Sequence, residues 1–210
     1  MSISLLSLGF LLGMRHALES DHVAAVASLA TRSRSMGDTL RQGAVWGAGH
    51  TLTLFIFGSL VLLLDTVIPE TLAQALEFMV GLMLIGLGID VLRRQLRERI
   101  HFHVHRHGRF PLRALFVGMM HGMAGSAALI LLTLQSVHSP LTGMLYIMLF
   151  GVGSIAGMAA LSAIIAVPLC YSISSLRWAH TGLQALVGIT TLYVGGMMVY
   201  DIGIAGGLLV

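Results

Sequence analysis

A cluster of ionisable residues lies inside an otherwise apolar segment near the amino terminus. His16 and His22 flank Glu19 and Asp21 within two helical turns, and apolar residues fill the segment on both sides. Ionisable side chains inside a membrane-type segment are costly, so they usually mark the path of an ion or a substrate. Imidazole and carboxylate groups are also common metal ligands. The cluster therefore predicts a metal-ion site within a membrane protein.

The composition supports a membrane-embedded chain and excludes several other classes. Hydrophobic residues make up 56% of the 210 residues and charged residues 10%, against about 25% charged residues in a soluble domain. The mean hydropathy is +0.89. The net charge of +3 does not indicate nucleic-acid binding, because every basic residue is an arginine whose position a membrane topology explains. Cys170 is the single cysteine, which excludes an internal disulfide and a cysteine-based metal site.

Six apolar segments are each long enough to cross a membrane as a helix, which takes roughly 20 residues. They cover about residues 3–30, 43–64, 72–92, 114–134, 141–170 and 180–203. We therefore predict an all-α membrane protein with six transmembrane helices.

The arginines predict the orientation of these helices. All but one of them lie in the joints that follow the first, third and fifth segments. Cytoplasmic loops carry an excess of Lys and Arg, so these three joints are predicted to face the cytoplasm. The chain is then a multi-pass protein of the inner (cytoplasmic) membrane, with both termini outside.

The two halves of the chain resemble each other. The motif G-M-R-H at 13–16 recurs as G-M-M-H at 118–121, W-G-A-G-H at 46–50 as F-G-V-G-S at 150–154, and V-G at 80–81 as V-G at 187–188. An odd number of spans inverts the second copy, and inverted repeats are common in transporters, with the substrate site at their interface. The predicted organisation is one three-helix repeat over 1–100, a His- and Arg-rich cytoplasmic loop over 101–113, and a second three-helix repeat over 114–210.

Two further histidines are predicted at the depth of the first cluster. His50 and His121 each lie about 10 Å inside the cytoplasmic end of a span, at roughly 1.5 Å per helical residue, and His22 lies at a similar depth. On a regular helix Asp21 would point away from the face that His22 shares with His16. Either Asp21 forms a hydrogen bond to a metal-binding residue without binding the ion itself, or the helix is locally unwound. A buried hydrogen-bonding role between helices is the alternative to metal binding for each histidine.

A second histidine-rich segment occupies the third joint. It contains His101, His103, His105 and His107, which alternate with other residues. Such tracts are typical of weak, exchangeable metal binding, and a solvated basic loop is the alternative. On the cytoplasmic side, the tract could receive or deliver ions.

The first cluster resembles a known family signature. Residues 15–23 read R-H-A-L-E-S-D-H-V, which is similar to R-H-A-x-D-A-D-H-I of the nickel/cobalt transporter family, with Glu19 and Ser20 as departures. The family's following G-H-S/T motif is matched by G-H-T at 49–51. The L-G-x-D-T-A-T-E element of the eight-span members is absent. The six-span length and residues 118–126 look more like the short nickel permeases associated with urease maturation.

The resemblance implies secondary transport of Ni²⁺ or Co²⁺ through a site that contains His16, Asp21, His22 and His50. We expect uptake of nickel, or of cobalt, as a transported substrate, with no cofactor. Efflux of the same ions and an intramembrane metalloenzyme, for which Glu19 is the candidate acid or base, are the alternatives. The expected partners are the metal ion, the lipid bilayer and cytoplasmic metallochaperones, without nucleic acid. The full set of predicted metal-site residues is His16, Glu19, Asp21, His22, His50 and His121.

Overall fold

The computed structural model describes residues 3–33, 35–64, 68–98, 111–136, 140–175 and 177–209, and this part of the chain contains helices and no strand. The helices are α1 (Ile3–His16), α2 (Ser20–Ala30), α3 (Met36–Leu64), α4 (Glu70–Glu98), α5 (Leu112–Ser136), α6 (Pro140–Ser175) and α7 (Arg177–Tyr200). A π-helical turn, Asp201–Ala205, continues α7. The predicted all-α class is confirmed. The histidine tract at 101–107 lies outside the described residues.

Four helical segments of the described chain are long and apolar enough to cross a membrane. They are Met36–Leu64, Glu70–Arg97, Leu141–Ser172 and Trp178–Ala205. Large apolar side chains on these segments are exposed, among them Leu63, Ile164 and Tyr193, as a lipid-facing surface requires. The chain is therefore a multi-pass membrane protein. The predicted count of six spans adds the α1–α2 segment and α5, and it stays a prediction.

The first predicted span is not a continuous helix. α1 ends at His16 and α2 begins at Ser20, with an extended backbone at Glu19 (φ −64°, ψ 147°). The N–H groups of Leu18 and Glu19 donate to carbonyls three residues back, at 2.9 and 3.1 Å, and close the end of α1. The Val23 N–H then donates to the Glu19 carbonyl at 2.9 Å and starts α2. The sequence left open a locally unwound helix or a bond from Asp21 to a ligand residue; the unwound helix is observed, and Asp21 also bonds His22.

The helices pack as a bundle around α3 and α6. α3 packs against α5 and α6, α1 packs against α6, and α4 packs against α7. The short helix α2 contacts α7, α6 and α4. Trp46, Leu84 and Met158 are fully buried in the core. This packing brings α1, α2, α3 and α5 together, and these are the elements that carry the predicted site residues.

Glycines permit the closest helix approaches, and two of these approaches correspond between the halves of the chain. A Cβ added at Gly13 on α1 would overlap the Phe150 carbonyl on α6. A Cβ added at Gly118 on α5 would overlap the Trp46 carbonyl on α3. Gly13 and Gly118 are equivalent positions of the recurring motifs, and so are Trp46 and Phe150. The same backbone contact is therefore made twice between the halves, with the roles of the two halves exchanged.

Asp90 on α4 joins three arginines at one end of the bundle. It pairs with Arg32, which follows α2, and with Arg94 one turn further along α4 at 3.3 Å. Arg113 at the start of α5 lies 3.6 Å from the same carboxylate oxygen. Arg94 also donates to the Thr31 hydroxyl at 3.2 Å. This ion-pair network holds the ends of α2, α4 and α5 together.

Candidate metal centre

Four histidines converge in the interior of the bundle. They are His16 at the end of α1, His22 in the first turn of α2, His50 on α3 and His121 on α5. The ring of His22 is central, because its centroid lies 4.3 Å from that of His16 and 4.8 Å from that of His121. The His50 ring lies 5.3 Å away from it. The helix break allows this approach, since a continuous helix would separate His16 and His22 by about 9 Å along its axis.

The cluster is almost completely withdrawn from solvent. His22, His50 and His121 are 2%, 0% and 1% exposed. The His16 side chain is 13% exposed. Burial of a polar ring is costly unless its nitrogens find partners, so the partners of each nitrogen decide what the cluster can do.

Two carboxylates hold the Nδ1 atoms of the first two histidines. Asp21 Oδ1 lies 3.0 Å from Nδ1 of His22, and Glu19 Oε1 lies 2.8 Å from Nδ1 of His16. A carboxylate accepts a hydrogen bond from a ring N–H, which assigns the proton to Nδ1 and leaves a lone pair on Nε2. Metal-binding histidines in proteins are commonly oriented by such a bond from their other nitrogen.

His121 is held in the same manner by the backbone. Its Nδ1 lies 3.3 Å from the Val117 carbonyl oxygen one turn earlier on α5. Its Nε2 lies 3.6 Å from Asp21 Oδ2, beyond a hydrogen bond. Asp21 therefore lies between two rings, bonded to His22 and close to His121.

Five buried ring nitrogens have no hydrogen-bond partner among the residues that the structure describes. They are Nε2 of His16, His22 and His121, and both ring nitrogens of His50. Buried polar atoms are nearly always hydrogen-bonded in proteins, so five unpartnered atoms in one cluster require an explanation.

The ligand atoms form two overlapping groups. His16, His22 and His50 make one, and Asp21, His22 and His121 make the other; within each group the candidate ligand atoms lie within 4.8 Å of one another. His22 belongs to both. Imidazole nitrogen, with or without carboxylate oxygen, suits Ni²⁺, Co²⁺ and Zn²⁺. Either group could hold one such ion.

The structure brings five of the six predicted core residues into these two groups. Glu19 is the exception. Its side chain is 57% exposed, and within the described part of the chain it pairs with Nδ1 of His16. Sequence reasoning missed Trp46, whose ring lies 5.4 Å from His22 and 5.5 Å from His121. The signal was available, since Trp46 opens the recurring W-G-A-G-H motif.

The chain is similar over most of its length to one bacterial and one archaeal protein. It is 35% identical to the urease accessory protein UreH of Bacillus sp. (strain TB-90), covering 98% of this chain and 95% of the relative. It is 29% identical to a protein of Methanocaldococcus jannaschii that is provisionally named as a nickel/cobalt efflux system, covering 71% of this chain and 72% of that one. The chain belongs to the nickel/cobalt permease family.

The chain is also similar to a plant protein. The chain is 29% identical to the chloroplast protein FOR GROWTH AND FERTILITY 1 of Arabidopsis thaliana, over 75% of this chain and 48% of the plant protein. No family model and no solved structure matches the chain. The resemblance inferred from residues 15–23 and 49–51 is thus confirmed at the level of the family, and the chain has a function related to nickel or cobalt transport.

Proposed function

We propose that this permease is a secondary transporter that carries Ni²⁺, or Co²⁺, into the cytoplasm through the four-histidine cluster. The observation that carries the proposal is the set of five buried imidazole nitrogens without partners in the described chain. A divalent ion bound by these nitrogens would offset the cost of burying them.

The orientation of the rings supports binding through Nε2. Three of the four histidines have an acceptor at Nδ1: Glu19, Asp21 and the Val117 carbonyl. Each of these acceptors leaves Nε2 with a lone pair directed away from it. Because such outer partners raise ligand basicity and fix the tautomer, the carboxylates act on the ion through the histidines. Protons compete for the same lone pairs, so binding weakens as the pH falls.

Contacts between corresponding helices support a pair of inverted three-helix repeats with six spans. The Gly13–Phe150 and Gly118–Trp46 approaches are one equivalent pair. In the α4–α7 contact, a Cβ at Gly81 would lie 3.2 Å from the Gly195 carbonyl, and one at Gly88 would lie 2.9 Å from the Gly188 carbonyl. In the predicted repeat Gly81 corresponds to Gly188, and Gly88 corresponds to Gly195 at the same offset. Exchange of the two halves therefore converts one of these contacts into the other. The histidine cluster then lies at the repeat interface, where transporters of this kind bind their substrates.

Efflux is the second candidate function. It is favoured by the name of the Methanocaldococcus jannaschii relative, which describes that protein provisionally as a nickel/cobalt efflux system. The metalloenzyme alternative gains no comparable support, because Glu19, its candidate acid or base, contacts His16 and lies outside both ligand groups.

Binding and direction are tested by separate measurements. Titration calorimetry of the purified protein with Ni²⁺ should detect a site in the wild type and in His180→Ala, and none in His22→Ala, which removes the ligand common to both groups. His180 is the matched control because it is a histidine near the start of α7, where its ring nitrogens bond Ser172 and Gln184. In intact cells, uptake predicts a higher nickel content on expression, whereas efflux predicts a lower one. Equal nickel binding by His22→Ala and the wild type would exclude the cluster as the site.

A further inference from the structure

A narrow cleft adjoins the histidine cluster on one side. It is bounded by apolar residues of α2, by Thr39, Gln42, Gly43 and Trp46 of α3, and by Ser162 of α6. It is too narrow to admit a water molecule. We call it the Gln42 cleft.

The Gln42 cleft lies between the histidine cluster and the arginine end of the bundle. On α2 its residues come after His22, and the chain continues from them to Arg32. On α3 its residues come before His50, in the turns nearest to the same joint. The cleft is therefore one route by which an ion could move from the cluster towards the arginine end.

Trp46 separates the cleft from the cluster. Its fully buried ring packs against His22 and His121, and it also lines the cleft. Buried indole N–H groups usually have an acceptor, yet Nε1 of Trp46 has none among the described residues. The ring thus fills the passage without being fixed there by a hydrogen bond.

The walls of the cleft offer oxygen atoms where the cluster offers nitrogen. The Gln42 carbonyl oxygen Oε1 is buried and has no partner within the described part of the chain. The Thr39 hydroxyl donates to the Ser35 carbonyl at 3.1 Å, which leaves its lone pairs available. Neutral oxygen ligands hold nickel-type ions less strongly than imidazole, so they suit an ion that must leave.

We infer that the Gln42 cleft is the closed exit of the transport path for a partly hydrated divalent cation, and that Trp46 is the gate residue between it and the histidine cluster. The inference rests on the proposed function, because it needs an ion that leaves the cluster. Opening requires the Trp46 ring to move out of the passage and the cleft to widen enough to admit water.

Thiol labelling tests the exit without requiring a nickel measurement. In a Cys170→Ala background, Ser162→Cys places a thiol in the cleft, and Ile164→Cys places one at the neighbouring exposed, lipid-facing position. A positively charged, membrane-impermeant methanethiosulfonate is added to either face of membrane vesicles. We expect labelling of Ser162→Cys from the cytoplasmic face and none of Ile164→Cys. Equal labelling of the two thiols, or labelling of Ser162→Cys only from the outer face, would overturn the exit.

A second labelling experiment tests Trp46 as the gate residue. In the same background, His50→Cys places a thiol in the cluster, behind Trp46. Trp46→Ala should raise its labelling rate from the cytoplasmic face severalfold, whereas Trp46→Phe, which keeps a ring in the passage, should leave that rate near its starting value. The same rate in all three proteins would remove Trp46 as the gate.

Failure of the inference differs from failure of the proposed function. Gln42→Leu should bind nickel as the wild type does in calorimetry and should transport it severalfold more slowly. Gln74→Leu on α4, a half-buried glutamine outside the cleft, is the control that should transport at the wild-type rate. A wild type that binds no nickel refutes the proposed function, whereas intact binding with an unlabelled cleft refutes the exit alone.

Discussion

At the scale of single residues, His22 is the central residue of the histidine cluster. It is the member common to both ligand groups, and its ring contacts the other three histidines. Its Nδ1 is held by Asp21, its neighbour in the chain. A ligand that serves two groups can remain bound while an ion exchanges its other ligands. His22 is therefore the residue whose loss should affect binding most.

Substitution of His22 and of Asp21 should have different effects. His22→Ala removes a ligand from both groups and should abolish measurable nickel binding. Asp21→Ala removes the acceptor that orients His22 and should weaken binding by about 10–100-fold, as loss of such an outer partner does. Calorimetry with Ni²⁺ measures both affinities, and membrane insertion of each variant is the control. If Asp21→Ala also abolishes binding, the carboxylate is itself a ligand.

The sequence predicted which residues meet in the cluster better than it predicted the contacts that they make there. His16, Asp21, His22, His50 and His121 stood out because ionisable groups are rare in apolar segments. Their hydrogen bonds could not be predicted, since these depend on the backbone at Glu19, where neither glycine nor proline marks a break. The contact of Trp46 with the histidines was missed because an aromatic residue in an apolar helix has no chemical contrast with its neighbours.

At the scale of helices, the packing depends on bare backbone at a few crossings. α1 and α6 meet where Gly13 faces the Phe150 carbonyl, and no Cβ can be accommodated there. The apolar segments were predictable from composition alone. Their partners were predictable only in part, because the recurring glycines indicate equivalent positions without indicating which helices touch.

Gly13→Ala should destabilise the bundle, and Gly37→Ala should not. The added methyl group at residue 13 would force α1 away from α6, and overpacking of this kind costs about 1–3 kcal/mol. Gly37 in the first turn of α3 has open space around it, so alanine there should be neutral or slightly stabilising. The thermal unfolding midpoint of the purified proteins in one detergent measures the difference. Equal midpoints would contradict the close approach.

At the scale of the whole molecule, the ion-pair network at Asp90 marks one end of the bundle. Arg32 comes from the first predicted joint, and Arg94 and Arg113 border the third. Their meeting at one carboxylate supports the prediction that these two joints share a side of the membrane. Arginine counts alone predicted this, because charge bias acts during insertion and does not depend on packing.

A reporter that is active only in the cytoplasm should be silent when it is fused after Val210. The expectation follows from six spans whose arginine-rich joints face the cytoplasm. The same reporter inserted between His105 and His107, in the third joint, should be active and serves as the control. Activity at both positions would mean an even number of crossings between them, which would contradict the three spans predicted for the second half.

The histidine tract should affect transport at low metal concentration only. Replacement of His101, His103, His105 and His107 by alanine removes weak ligands that lie outside every predicted span. Nickel transport at saturating concentration should stay near the wild-type rate, while the concentration required for half-maximal transport rises. Radioactive nickel measured over a concentration series separates the two effects. Loss of transport at every concentration would make the tract part of the path.

The ion-pair network also gives the bundle an electrical asymmetry. Three guanidinium groups surround one carboxylate there, so that end keeps an excess of positive charge. A free divalent cation that approaches from that end meets charge of its own sign, whereas one that approaches from the opposite end does not meet this network. If the Gln42 cleft is the exit, this charge would keep free divalent cations on that side at low concentration near its mouth.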